Sequence, residues 1–196
     1  MLHKLRRHWE TVGFLLLLVW FWEAAGGAAL GMILFAAVVH EGGHLAALRL
    51  LKAPGTALRL SPLGAVIHAE DLRLSYPGEL FAVLAGPCAN ILCGAVLTHL
   101  SRVYPPAASA AGAHWVLGIF NLLPAMPLDG WRGLQLLLCW MIGPAAGERI
   151  AGAAGVLAAL LLSVGIVLLM VFSGGNLWLI PSAACFLLNA CRSVTK

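Results

Sequence analysis

Long apolar runs, broken at intervals by glycine, proline or short charged clusters, are the dominant pattern of this chain. A helix needs about 20 mostly apolar residues to cross the hydrocarbon core of a bilayer. By that measure residues 9–25, 28–51, 79–100, 107–123, 150–172 and 176–190 form six predicted spans, with a shorter apolar helix over 134–142. Gly26 and Gly27 provide the turn between the first two. A cleaved signal peptide is the weaker reading of the first run, because a second apolar run follows at once. Residues 56–60 and 65–70, joined by Ser61-Pro62-Leu63-Gly64, predict a β-hairpin instead of a helix. The expected fold is an all-α integral membrane protein of six transmembrane helices with one short β-hairpin. It forms a single domain over 1–196, with its core in 28–142 and a C-terminal helix pair in 149–191.

Composition agrees with that pattern. Hydrophobic residues make up 61% of the chain and charged residues 10%, and mean hydropathy is +0.93. An ordinary soluble domain is about half apolar and about a quarter charged. The bilayer is therefore this chain's solvent. The net charge of +4 is small, and no basic stripe alternates with aromatics, so a nucleic-acid partner is not expected. Cys88, Cys93, Cys139, Cys185 and Cys191 form no CxxC pair and read as small apolar side chains. With six spans and a cytosolic N-terminus, every lysine and arginine except Arg102 falls on the cytosolic side. Both termini are thus expected in the cytosol, in a multi-pass membrane protein.

The second run ends in Val38-Val39-His40-Glu41-Gly42-Gly43-His44. On a helix His40 and His44 are one turn apart, so both imidazoles can reach one Zn²⁺. Glu41 sits beside them, where its carboxylate can take a proton from a water that the metal acidifies. Two glycines cost a helix about 1 kcal/mol each, which is sensible where a neighbouring helix or a substrate backbone must come close. A glutamate held in a membrane interior without a partner costs several kcal/mol, so a purely structural reading of these side chains is disfavoured.

Catalytic zinc usually has three protein ligands and one open position. After the fourth run comes Asn121-Leu122-Leu123-Pro124-Ala125-Met126-Pro127-Leu128-Asp129-Gly130. Pro124 and Pro127 must break a helix there. Broken backbone at membrane depth is tolerated only where protein or a wet cavity satisfies it, which makes Asp129 the candidate third ligand. Helix capping is the alternative role for Asp129. Topology supports the first reading: the second and fourth spans both descend to the cytosolic side, so Asp129 reaches the same side as His44.

HEGGH in one span, Ala85-Gly86-Pro87-Cys88-Ala89-Asn90 in a later one and NLLPAMPLDG after that resemble the site-2 protease family of intramembrane metallopeptidases. Their order is most similar to the stage IV sporulation protein FB subgroup. The resemblance implies one Zn²⁺ per chain on His40, His44 and Asp129, with Glu41 as catalytic base. It also implies regulated cleavage of transmembrane or membrane-tethered proteins, gating by other membrane proteins, and a sporulation transcription-factor precursor as one candidate substrate. Neither a CBS nor a PDZ domain is expected, and the hairpin is expected to be re-entrant, near the active site, where its edge pairs with unwound substrate.

Asn90 and Asn121 are amides near the inferred site, and either could bind the substrate backbone or a developing oxyanion. An interhelical hydrogen bond is the alternative for both. His68 reads as a strand-end residue, and His99 and His114 as interfacial residues far from the metal. A serine protease would need an elbow such as GxSxG, which is missing. A metal-ion transporter or a non-proteolytic protein that binds transmembrane helices are the remaining alternatives. The glutamate beside His40 and the lack of a repeated half count against them.

Overall fold

A computed structural model describes residues 19, 22–23, 26–53, 57–61, 64–68, 74–173 and 186–187. The predicted spans over 9–25 and 176–190 lie mostly outside the described residues. The described elements are α1 (Gly27–Leu50), β1 (Ala57–Ser61), β2 (Gly64–His68), α2 (Tyr76–Leu100), α3 (Ala107–Asn121), α4 (Asp129–Ile142) and α5 (Pro144–Phe172). The chain packs as two compact units, one built from 1–73 with 88–118, the other from 74–87 with 119–196.

The first unit holds α1, the hairpin, the C-terminal part of α2 and most of α3. Helix α1 is an Ala- and Leu-rich run that ends where Lys52 turns to positive φ (50°) and Ala53 N–H donates to Leu48 C=O at 3.0 Å. Strands β1 and β2 pair antiparallel in the register Ala57↔His68 to Ser61↔Gly64. Helices α2 and α3 meet where Gly94 leaves room for the Trp115 ring and Trp115 Nε1–H donates to Thr98 Oγ1 at 3.0 Å. The buried face of α3 is Ala107, Ala111, His114 and Gly118, a stripe of small residues around one imidazole.

The second unit holds the start of α2, α4 and α5. Ser75 opens α2, its Oγ accepting from Gly78 N–H at 3.4 Å. Arg132 of α4 forms an ion pair with Glu79 in the first turn of α2. Gly143, at φ 88°, joins α4 to α5, a backbone angle that favours glycine, and Pro144 starts the new helix. The α5 seam is Gly147, Ala151, Gly155, Ala159 and Ser163, every fourth residue and all buried. A Cβ at Gly147 would meet Cys139 N at 2.4 Å, and one at Gly155 would meet Trp131 Cδ1 at 2.5 Å. Small residues let membrane helices approach this closely. Trp131 Nε1–H also donates to Ala151 C=O at 3.0 Å.

Among the described residues, α1, α2 and α5 are long and apolar enough to cross a membrane. Their outer faces carry Phe35, Val38, Leu92, Val96, Val164, Leu168 and Val171, all exposed. Apolar area on that scale calls for lipid, not water. This is a mostly helical membrane protein. Several predicted boundaries shift: α2 starts at Tyr76 instead of 79 and α4 at Asp129 instead of 134. Helix α3 stops at Asn121, not at residue 123, and its 15 residues span about 22 Å, short of the roughly 30 Å core. Helix α5 starts at Pro144, six residues before the predicted start, because proline is compatible with a helix's first turn and the apolar pattern alone cannot show that.

Candidate metal centre

His40 and His44 lie in α1's second half, where the one-turn spacing stacks their side chains on one face. Both are buried, and their Nε2 atoms are 3.2 Å apart. Tetrahedral zinc with Zn–N bonds near 2.0–2.1 Å holds two imidazole nitrogens about 3.3 Å apart. The pair therefore has the spacing that one metal ion requires. Glu41 is half-buried on the same turn. Gly42 lies on the opposite face, and among the described residues a Cβ there would meet nothing within 4 Å.

Behind His40 lies a chain of buried polar groups. Asn90 Nδ2 is 3.2 Å from His40 Nδ1, and Asn90 Oδ1 is 3.0 Å from His114 Nδ1. His114 Nε2 continues to Cys93 Sγ at 3.7 Å. Asn90 and His114 are both 0% exposed, and the Phe35 ring packs edge-on against His114 at a centroid distance of 5.0 Å. The interfacial role expected for His114 is thus incorrect. Its distance from the end of a predicted span misled, whereas its place in the small-residue stripe of α3 carried the correct signal. His99, in the last turn of α2, is exposed.

Asp129 is positioned by the break after α3. Asn121 closes that helix, half-buried, and short turns then run through Leu122–Leu128, with Ala125 N–H donating to Leu123 C=O and Leu128 N–H to Ala125 C=O, both at 2.8 Å. Gly130 is forced at this place: a Cβ would stand 2.1 Å from Leu122 O and 2.6 Å from Leu123 O. Asp129 is the first residue of α4, whose cap is Leu128 and which has no side-chain cap hydrogen bond. One ring nitrogen from each of His40 and His44 and a carboxylate oxygen of Asp129 all lie within 4.8 Å of one another, a group able to hold a metal ion.

No family model matches the chain. It is 32% identical over 158 residues to the zinc metalloprotease MJ0392 of Methanocaldococcus jannaschii, covering 74% of this chain and 46% of that protein. The chain thus spans about half the length of that relative. The Site-2 Protease from Methanocaldococcus jannaschii matches with a TM-score of 0.68 at 24% identity, covering 95% of this chain and 88% of that one. The chain has the site-2 protease fold.

Proposed function

We propose that this chain is an intramembrane zinc metalloendopeptidase of the site-2 protease family, nearest by motif order to the stage IV sporulation protein FB subgroup. The observation that carries the reading is the grouping of His40, His44 and Asp129 within one metal's reach, with Glu41 on the same helical turn. Two imidazoles and a carboxylate suit zinc and leave a position open for water or substrate. Zinc bound there would supply a Lewis acid for a peptide carbonyl and lower the pKa of water. Glu41 takes the proton of the attacking water and passes it to the leaving amine. Asn121, at the end of α3, binds the substrate backbone in this reading. The β1–β2 hairpin offers an edge to a substrate segment unwound from its helix, because a helical peptide's carbonyls are already engaged.

Substrates are transmembrane or membrane-tethered proteins, a sporulation transcription-factor precursor among the candidates, and other membrane proteins gate access. The chain crosses a prokaryotic plasma membrane six times, with both termini and the site's opening on the cytosolic side. The excess of lysine and arginine in the loops assigned to that side supports this orientation. The reading is tested by cleavage of a model transmembrane substrate in vesicles: activity that survives Glu41→Gln ends it.

A further inference from the structure

The polar chain behind His40 has a direction. An imidazole that binds a metal through Nε2 has its lone pair on the metal, so its proton sits on Nδ1 and needs an acceptor. The neighbour of His40 Nδ1 is the Asn90 carboxamide. A carboxamide has one acceptor end and one donor end of nearly equal size, and a half-turn about χ2 exchanges them without disturbing the packing. Only one orientation serves coordination: Oδ1 toward His40 and Nδ2 toward His114. His114 Nδ1, 3.0 Å from the amide, must then accept, which places the His114 proton on Nε2, toward Cys93 Sγ.

On the zinc reading above, we propose that Asn90 and His114 are positioning residues that fix the His40 tautomer and aim its Nε2 lone pair at the metal. Asn90 and His114 are fully buried, and each atom of the relay lies within 3.7 Å of the next. Buried amides seldom go without partners, and here both ends of the amide are satisfied by the histidines of two other helices. Asn90 is on α2 and His114 on α3, so the relay ties the orientation of a ligand on α1 to two more elements of its unit. The expectation that Asn90 contacts substrate gives way to this role, since its amide is engaged at both ends.

The test measures zinc affinity of the purified full chain by competition with a chelator, with thermal unfolding of each variant recorded in excess chelator. Wild type and H40A set the scale. If His40→Ala leaves affinity unchanged, the zinc reading itself fails and takes this inference with it. Asn90→Leu is expected to weaken zinc 10–100-fold, the usual effect of losing an outer-shell partner. Asn90→Asp retains an acceptor for His40 Nδ1 and is expected to bind nearly as wild type. Zinc binding by N90L at wild-type strength, or by N90D as weakly as N90L, overturns the inference while leaving the three-ligand reading intact. His114→Phe, which keeps a ring against Phe35, should weaken zinc several-fold in the wild-type background and little in the N90D background, where no amide needs orienting. A purely structural role would give equal losses in both backgrounds, and that result also overturns the proposal.

Discussion

Gly130→Ala tests how tightly the break after α3 holds Asp129. The new Cβ would sit 2.1 Å from Leu122 O, 2.3 Å from Leu122 C and 2.6 Å from Leu123 O. Carbon–oxygen contacts below 3.0 Å are essentially never found, so the backbone must open by roughly 1 Å or more. All three atoms are backbone, and no side chain is available to swing aside. Forcing extra volume into a packed site typically costs about 1–3 kcal/mol. The functional loss should be larger than that suggests, because the displaced segment carries Asp129 one residue away, and about 1 Å of misplacement can cost about 100-fold in rate. Gly42→Ala is the matched control. It places a methyl where nothing lies within 4 Å, and replacing a mid-helix glycine gains about 0.5–1 kcal/mol. Zinc per chain, initial cleavage rate in vesicles and the unfolding midpoint in detergent would be compared for both variants. The expected result is a large loss of cleavage with lowered zinc retention for G130A, and wild-type zinc retention for G42A. Wild-type cleavage and zinc in G130A would refute the claim that the Leu122–Asp129 turn fixes the carboxylate.

Gly155→Leu drives a branched side chain into the Trp131 ring, against which even a Cβ would stand at 2.5 Å, and should separate α4 from α5. Its readouts are a lowered unfolding midpoint and a change in Trp131 fluorescence, and an unchanged midpoint would argue against the small-residue seam. Val66→Pro, at the rung paired with Arg59 in the middle of the hairpin, should disrupt the ladder, because proline has no N–H to donate. It is expected to slow cleavage of transmembrane substrates while leaving zinc content unchanged, and equal cleavage would remove the hairpin from substrate presentation.

How much of this was legible in the sequence differs from element to element, for physical reasons. Spans are set by uninterrupted apolar length, and α1 and α2 follow that signal to within a few residues. The metal candidates are set by chemistry at fixed helical spacing, and His40, His44 and Asp129 come together as HEGGH and the proline-broken loop imply. Gly130, expected to allow an unusual backbone angle, has no positive φ and is instead required because the Leu122 and Leu123 backbone comes close. What could not be read is tertiary. His114 looks like any histidine in a span until α2 brings Asn90 against it. The start of α5 is hidden because Gly143-Pro144 reads as a break when it is also a helix start. Gly42, expected to admit a neighbouring helix or a substrate backbone, has no described residue within 4 Å of where its Cβ would stand.

The central claim is that Glu41 performs peptide hydrolysis beside a zinc ion held by His40, His44 and Asp129. Its most direct test is zinc content and cleavage of a transmembrane substrate in vesicles, for wild type beside Glu41→Gln. The account predicts about one zinc per chain in both proteins, since Glu41 is no ligand, and a cleavage rate lowered by about 100- to 10,000-fold or more in the variant, the range general acid–base groups contribute. Cleavage by Glu41→Gln at the wild-type rate, or wild-type protein that holds no zinc yet still cleaves, would contradict it.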